Sequence, residues 1–176
     1  MEMVNTKQQR KKEKKKEREK KLEELKKKYE KFKIKYDLPD FDELNKEFEI
    51  ERAANIKTEY LLRVIRRLMS DKFIYYTNLF DNIMNAQRIF TMLIAKKIDV
   101  EKDMIYEFMK RAAKITMKEM ETELHYDEKN EAEEIKFLYN EWKKMKKDIE
   151  KIVKSLSKKI NKEEKEIKKE ESKYFG

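Results

Sequence analysis

The chain holds one histidine and no cysteine, so few of its residues could do covalent or metal chemistry. His125 follows Glu121 by four residues, which places both on one side of a helix. A carboxylate-bridged metal pair in a helical bundle needs Glu-x-x-His on two helices, so that the ligands of both motifs turn inward. Here Thr122 stands three residues before His125, and no second histidine exists. No metal and no cofactor is therefore expected, and His125 reads as a surface residue near a helix end. Nucleophilic catalysis needs a nucleophile, a base within hydrogen-bond reach and a third group to orient that base. The chain has no thiol, no Gly-x-Ser-x-Gly elbow and no glycine-rich phosphate loop. The expectation is a protein that is not an enzyme.

What remains is charge. Residues 1–36 hold sixteen Lys/Arg against seven Glu, whereas thirty basic and thirty acidic residues follow Tyr36, so the whole net charge of +9 sits in the N-terminal fifth. Lysine-rich helices neutralise phosphates and release their counterions without reading sequence. Binding an anionic membrane surface needs a large apolar face beside the charge, and nothing before Leu22 supplies one. Arg10, Lys11, Lys12, Lys14, Lys15, Lys16, Arg18, Lys20 and Lys21 are thus candidate phosphate-backbone contacts. The glutamates between them also fit a plain solvated extension. A second cationic group is Arg63, Arg66 and Arg67, expected opposite Leu61, Val64, Ile65 and Leu68 on one helix. Such a stripe can grip phosphate or carboxylate, or simply face water.

The elements that would position these groups are helices. The only glycine is Gly176 and the only proline Pro39, whereas hairpins and tight strand turns lean on glycine for positive φ. Lys and Glu dominate, and both are good helix formers. The expected fold is all-α, a bundle of about five long helices with coiled-coil-like first and last members. Leu22, Leu25, Tyr29 and Phe32 are spaced three and four apart, as are Leu138, Trp142, Met145, Ile149, Ile152 and Leu156. Leu22, Leu25, Tyr29, Phe32, Met145, Ile149, Ile152 and Leu156 are candidate partner-binding residues, pairing with each other, with a helical protein partner or with a second copy.

Leu38-Pro39 should stop the first helix. Asp40 with Glu43 resembles a capping box, opening a helix expected to run from Phe41 to Leu68. Ser70-Asp71 is a candidate break, and Asp99 and Asp127 are candidate caps. The chain divides into a basic solvated arm (1–21), a helical bundle (22–160) and a charged helical tail (161–176). The expected core holds Phe41, Phe48, Leu61, Ile65, Leu68, Phe73, Phe80, Ile83, Phe90, Phe108, Ile115, Leu138 and Trp142. Met84, Met92, Met104, Met109, Met117 and Met120 are expected to fill that core rather than line a soft binding groove.

The most apolar stretch, Phe73 to Ala95, carries Asn78, Asp81, Asn82, Asn85, Gln87 and Arg88, too many polar groups for a membrane span. The first residues offer no apolar signal region, and the lack of cysteine suits a reducing compartment. The sequence therefore points to a soluble, cytoplasmic, non-enzymatic binding protein, with its arm laid along the phosphate backbone of RNA or a ribonucleoprotein. The alternative is a structural or adaptor protein acting through coiled-coil pairing. No base-reading motif is present, so any nucleic-acid recognition would rest on charge and shape.

Overall fold

A chain with no interior glycine must end its helices by other means. The computed structural model describes the backbone of residues 2–85, 94 and 101–174, and the side chains of residues 13, 15–85, 94 and 101–162. Among the described residues there is no strand, and five α-helices account for most of the chain. They are α1 (Glu2–Tyr36), α2 (Phe41–Phe48), α3 (Leu61–Met84), α4 (Glu101–Leu124) and α5 (Glu128–Tyr174). Two 3-10 helices, Ile50–Ala53 and Thr58–Tyr60, lie between α2 and α3.

α1 ends where the sequence places its stop. Asp37 takes a left-handed conformation (φ 53°), and the Leu38 amide donates back to the Lys33 carbonyl at 3.2 Å. This is the Schellman closure, here built on Asp rather than Gly; Leu38 is buried beneath it. Asp40 does occupy the N-cap of α2, and its carbonyl accepts the Leu44 amide at 3.0 Å. Its side chain, however, makes no capping bond. The carboxylate is taken by the Lys33 ammonium at 2.6 Å, and Glu43 accepts from the Tyr139 hydroxyl rather than closing a box. At the start of α5 the expected cap is present: Asp127 accepts the Asn130 amide at 2.9 Å.

Two expected boundaries are corrected. The helix from Phe41 to Leu68 is broken, because Glu49 turns left-handed (φ 54°) and the two 3-10 helices follow. Conversely, Ser70-Asp71 breaks nothing: α3 runs straight through, with Ser70 buried inside it. Asp99, Phe90 and Met92 fall outside the described residues.

The chain divides into two compact units. The first comprises residues 1–71 and 121–139, the second residues 72–120 and 140–176. In the first unit Tyr29 is fully buried, edge-on to Phe41 with ring centroids 5.6 Å apart. Its hydroxyl donates to the Pro39 carbonyl at 2.7 Å. Burial, and then the charge of Asp40, pushes this phenol above its ordinary value. In the second unit Phe80 meets Phe108 at 4.9 Å and Phe73 meets Trp142 at 5.6 Å, both edge-on. Such edge-to-face pairs add about 0.5–1.5 kcal/mol each beyond the area they bury. The expected core residues that are described are buried, except that Leu68 is half-buried and Met69 is buried beside it. The methionines do not all fill the core: Met84, Met117 and Met120 are exposed. No described helix is long and apolar enough to cross a membrane.

Candidate nucleic-acid interface

The described backbone of the basic arm, from Glu2 on, is helical as part of α1. The side chains of Arg10, Lys11, Lys12 and Lys14 lie outside the described residues. Lys15, Lys16, Arg18 and Lys20 are exposed, as expected of a segment with nothing to bury. Three glutamates, Glu13, Glu17 and Glu19, are exposed with them. The pairing is mostly internal: Lys21 sits 2.7 Å from Glu17, and Lys15 3.9 Å from Glu19. These exposed pairs one turn apart are worth only about 0.3–0.5 kcal/mol each.

Arg18 reaches out of the helix to Glu51. Hydrogen bonds from Asn45 and then Arg18 hold the Glu51 carboxyl below its usual range. An open cavity of about 510 Å³ lies beside this pair, where Arg18, Lys21, Leu22 and Arg52 share the lining with Glu17 and Glu51. Cations and acids are mixed there, so the cavity has no single-sign field to select an anion.

The arginine cluster is arranged otherwise than expected. Arg66 is fully buried. Its Nε donates to Glu131 Oε2 at 2.5 Å, its Nη2 to Glu123, and Glu134 lies 3.9 Å away. Arg63 donates from Nε to the other Glu131 oxygen at 3.0 Å, and its guanidinium carbon lies 4.6 Å from the centre of the Tyr126 ring. Arg67 forks onto Glu123, Nε to Oε1 and Nη2 to Oε2, each at 2.8 Å. Burial alone would push Arg66 down; the Glu131 and Glu123 carboxylates outweigh it and hold the guanidinium above its ordinary value. Arg67, and then Arg66, depress Glu123 to about 2.

Three arginines and three glutamates thus neutralise one another inside the first unit. Arg66 is no phosphate contact, and Arg63 and Arg67 are committed to protein carboxylates. The reason lies in phase: Arg66 follows Leu62 by four residues and precedes Met69 by three, on the buried side of α3. The glutamates of this cluster could not be picked out from a sequence in which Glu is everywhere.

The two seams are also spent inward. Leu25, Tyr29 and Phe32 are buried in the first unit, Met145, Ile149, Ile152 and Leu156 in the second; Leu22 is half-buried. These buried side chains form part of the core of each unit. His125 is exposed, and no group of acidic and histidine side chains suited to a metal ion occurs among the described residues.

One set of cations was not singled out in the sequence. On α5, Lys143, Lys147, Lys151, Lys154, Lys158 and Lys162 are exposed at spacings of three and four. Their signal was their phase, opposite the seam from Trp142 to Leu156.

The sequence matches no family model, and no curated protein or solved structure is similar to it.

Proposed function

We propose that this protein is a non-enzymatic helical scaffold that binds the phosphate backbone of RNA through the basic arm of α1, in the reducing environment of the cytoplasm. The observation that carries this reading is the placement of charge. The entire net excess lies in residues 1–36, and the described cations of the arm, Lys15, Lys16, Arg18 and Lys20, are exposed, Arg18 while paired with Glu51 and Lys15 with Glu19. Such a surface holds a polyanion by counterion release and reads no bases.

The rival is an adaptor that pairs its helices with a protein partner. The placement of the net charge supports the RNA reading over this one, since both apolar seams are largely buried. Fluorescence anisotropy with mixed-sequence RNA across a salt series separates the two. Deleting residues 1–21 is expected to weaken binding and flatten the salt dependence, by roughly 0.7 in slope for each single-strand phosphate that is no longer neutralised. The melting temperature should hardly change. Equal affinity and equal slope for the truncated and full-length proteins would remove the arm from the interface.

A further inference from the structure

The most strongly single-signed surface among the described side chains is not the arm. Between residues 143 and 162 of α5, seven lysines are exposed: Lys143, Lys144, Lys147, Lys151, Lys154, Lys158 and Lys162. Against them stands one exposed acid, Glu150. In the described arm, four exposed cations meet three exposed glutamates. At 1.5 Å of rise per residue the α5 row is about 28 Å long.

The row has a fixed direction. On the opposite side of the helix Met145, Ile149, Ile152 and Leu156 are buried. Its flanks are tied as well. Asp148 accepts from Arg111 at 3.1 Å. Ser155 donates to Glu101, and Lys159 reaches the same buried carboxylate at 2.7 Å. These contacts orient the helix with its lysine face outward, where the seven side chains are exposed.

Holding them there opposes stability. Lys147 and Lys151, Lys151 and Lys154, and Lys154 and Lys158 are neighbours three or four apart, a spacing at which like charges destabilise a helix and Glu–Lys pairs stabilise it. Two lysines of the row do pair along the helix, Lys144 with Glu141 at 2.7 Å and Lys151 with Asp148 at 3.7 Å, as Glu17 with Lys21 and Glu107 with Lys110 do elsewhere. Solubility is served by such mixed charge and does not call for the excess of exposed lysine over exposed acid on this face. No exposed aromatic or arginine lies on the row, so it offers neither stacking for bases nor forks for their edges. Evenly spaced point charges suit phosphates along a backbone.

From this geometry we infer that the lysine face of α5 is a second, independent binding surface for the phosphate backbone of RNA. The inference extends the RNA reading of the arm but needs no arm residue. The test uses the full-length chain with Lys147, Lys151, Lys154 and Lys158 changed together to Gln, the same four changed to Arg, and each set repeated in the chain lacking residues 1–21. The probe is mixed-sequence RNA, titrated at several salt concentrations.

The Gln variant is expected to bind at least about tenfold more weakly and to lose roughly 3 from the salt slope, in both backgrounds. The Arg variant should bind like the parent. Unchanged affinity and slope in the Gln variant would overturn the α5 surface even where the arm deletion weakens binding. A loss confined to the arm deletion therefore sinks this inference alone, and a loss confined to the Gln variant sinks the arm alone. An equal loss in the Arg and Gln variants, with circular dichroism unchanged, would also overturn it, because charge would not be the property recognised.

Discussion

Two basic clusters in this chain look alike in the sequence and have opposite fates. Arg63, Arg66 and Arg67 turn toward Glu123 and Glu131 in the first unit, where Arg66 is wholly buried. The α5 lysines of the second unit stand outward along an exposed face. Phase against the apolar side explains the difference. Residue type fits it too: a planar guanidinium can be shared among carboxylates through directed bonds, whereas an ammonium is strongly hydrated and stays in water. A cluster of cations therefore indicates a binding surface only once its register with the buried face is known.

The sharpest way to break this comparison is to remove one member of each cluster. Arg66→Ala leaves Glu131 buried without its main partner, and breaking a buried pair on one side typically costs about 3–5 kcal/mol. Lys151→Ala, on the exposed row, should stay within about 0.5 kcal/mol of the parent. Urea unfolding measures both. If Arg66→Ala costs less than about 1 kcal/mol, the arginine cluster is not the inward structure its geometry indicates.

A loss of similar size is expected in the second unit, for a different reason. Phe80→Ala removes a buried ring that packs edge-on to Phe108, and such truncations cost about 3–5 kcal/mol. The pair of results would show the first unit relying on buried charge where the second relies on aromatic packing. A Phe80 change within about half a kcal/mol would place that ring at the surface instead.

Much of the fold was legible because its signals are local. Asp37-Leu38-Pro39 stops α1 as the proline demands, Asp127 caps α5, and the spacing of Leu25, Tyr29 and Phe32 marks a buried stripe. Ser70-Asp71 misled because Ser and Asp favour caps only where the chain turns. In α3 the buried phase through Leu62, Ile65, Met69 and Phe73 continues unbroken past them. The failure of the long helix after Phe48 had a weaker signal, a lapse in apolar spacing before Leu61. The arginine cluster was illegible because its acids lie about sixty residues further along α4 and α5, and only the tertiary fold brings them to α3.

A smaller effect should appear with pH. Arg67 and Arg66 hold the Glu123 carboxyl at about 2, against an ordinary 4.5. A depressed carboxylate contributes stability that is fully present above its unfolded value and is lost as pH falls through the folded one. The melting temperature should thus decline as pH drops from 4.5 toward 2. Glu123→Gln should be less stable than the parent at neutral pH, yet lose less of what remains across that window. Parallel curves for parent and variant would detach Glu123 from the acid response.

The smallest expected effect tests a backbone feature with no buried side chain involved. Glu49 is exposed and left-handed at φ 54°, with its amide bonded to the Asn45 carbonyl at 2.9 Å. A left-handed residue with a Cβ costs about 1–2 kcal/mol, and glycine escapes that cost while giving up about 0.5–1 kcal/mol of chain entropy on folding. Glu49→Gly should therefore raise stability by up to about 1 kcal/mol. Asp37→Gly should gain less, because a short side chain that bonds locally tolerates this conformation better than glutamate does. Denaturant midpoints of the two variants against the parent decide the matter. A loss above about half a kcal/mol in Glu49→Gly would mean that the glutamate side chain itself, and not merely the turn it occupies, holds α2 to the 3-10 helix that follows.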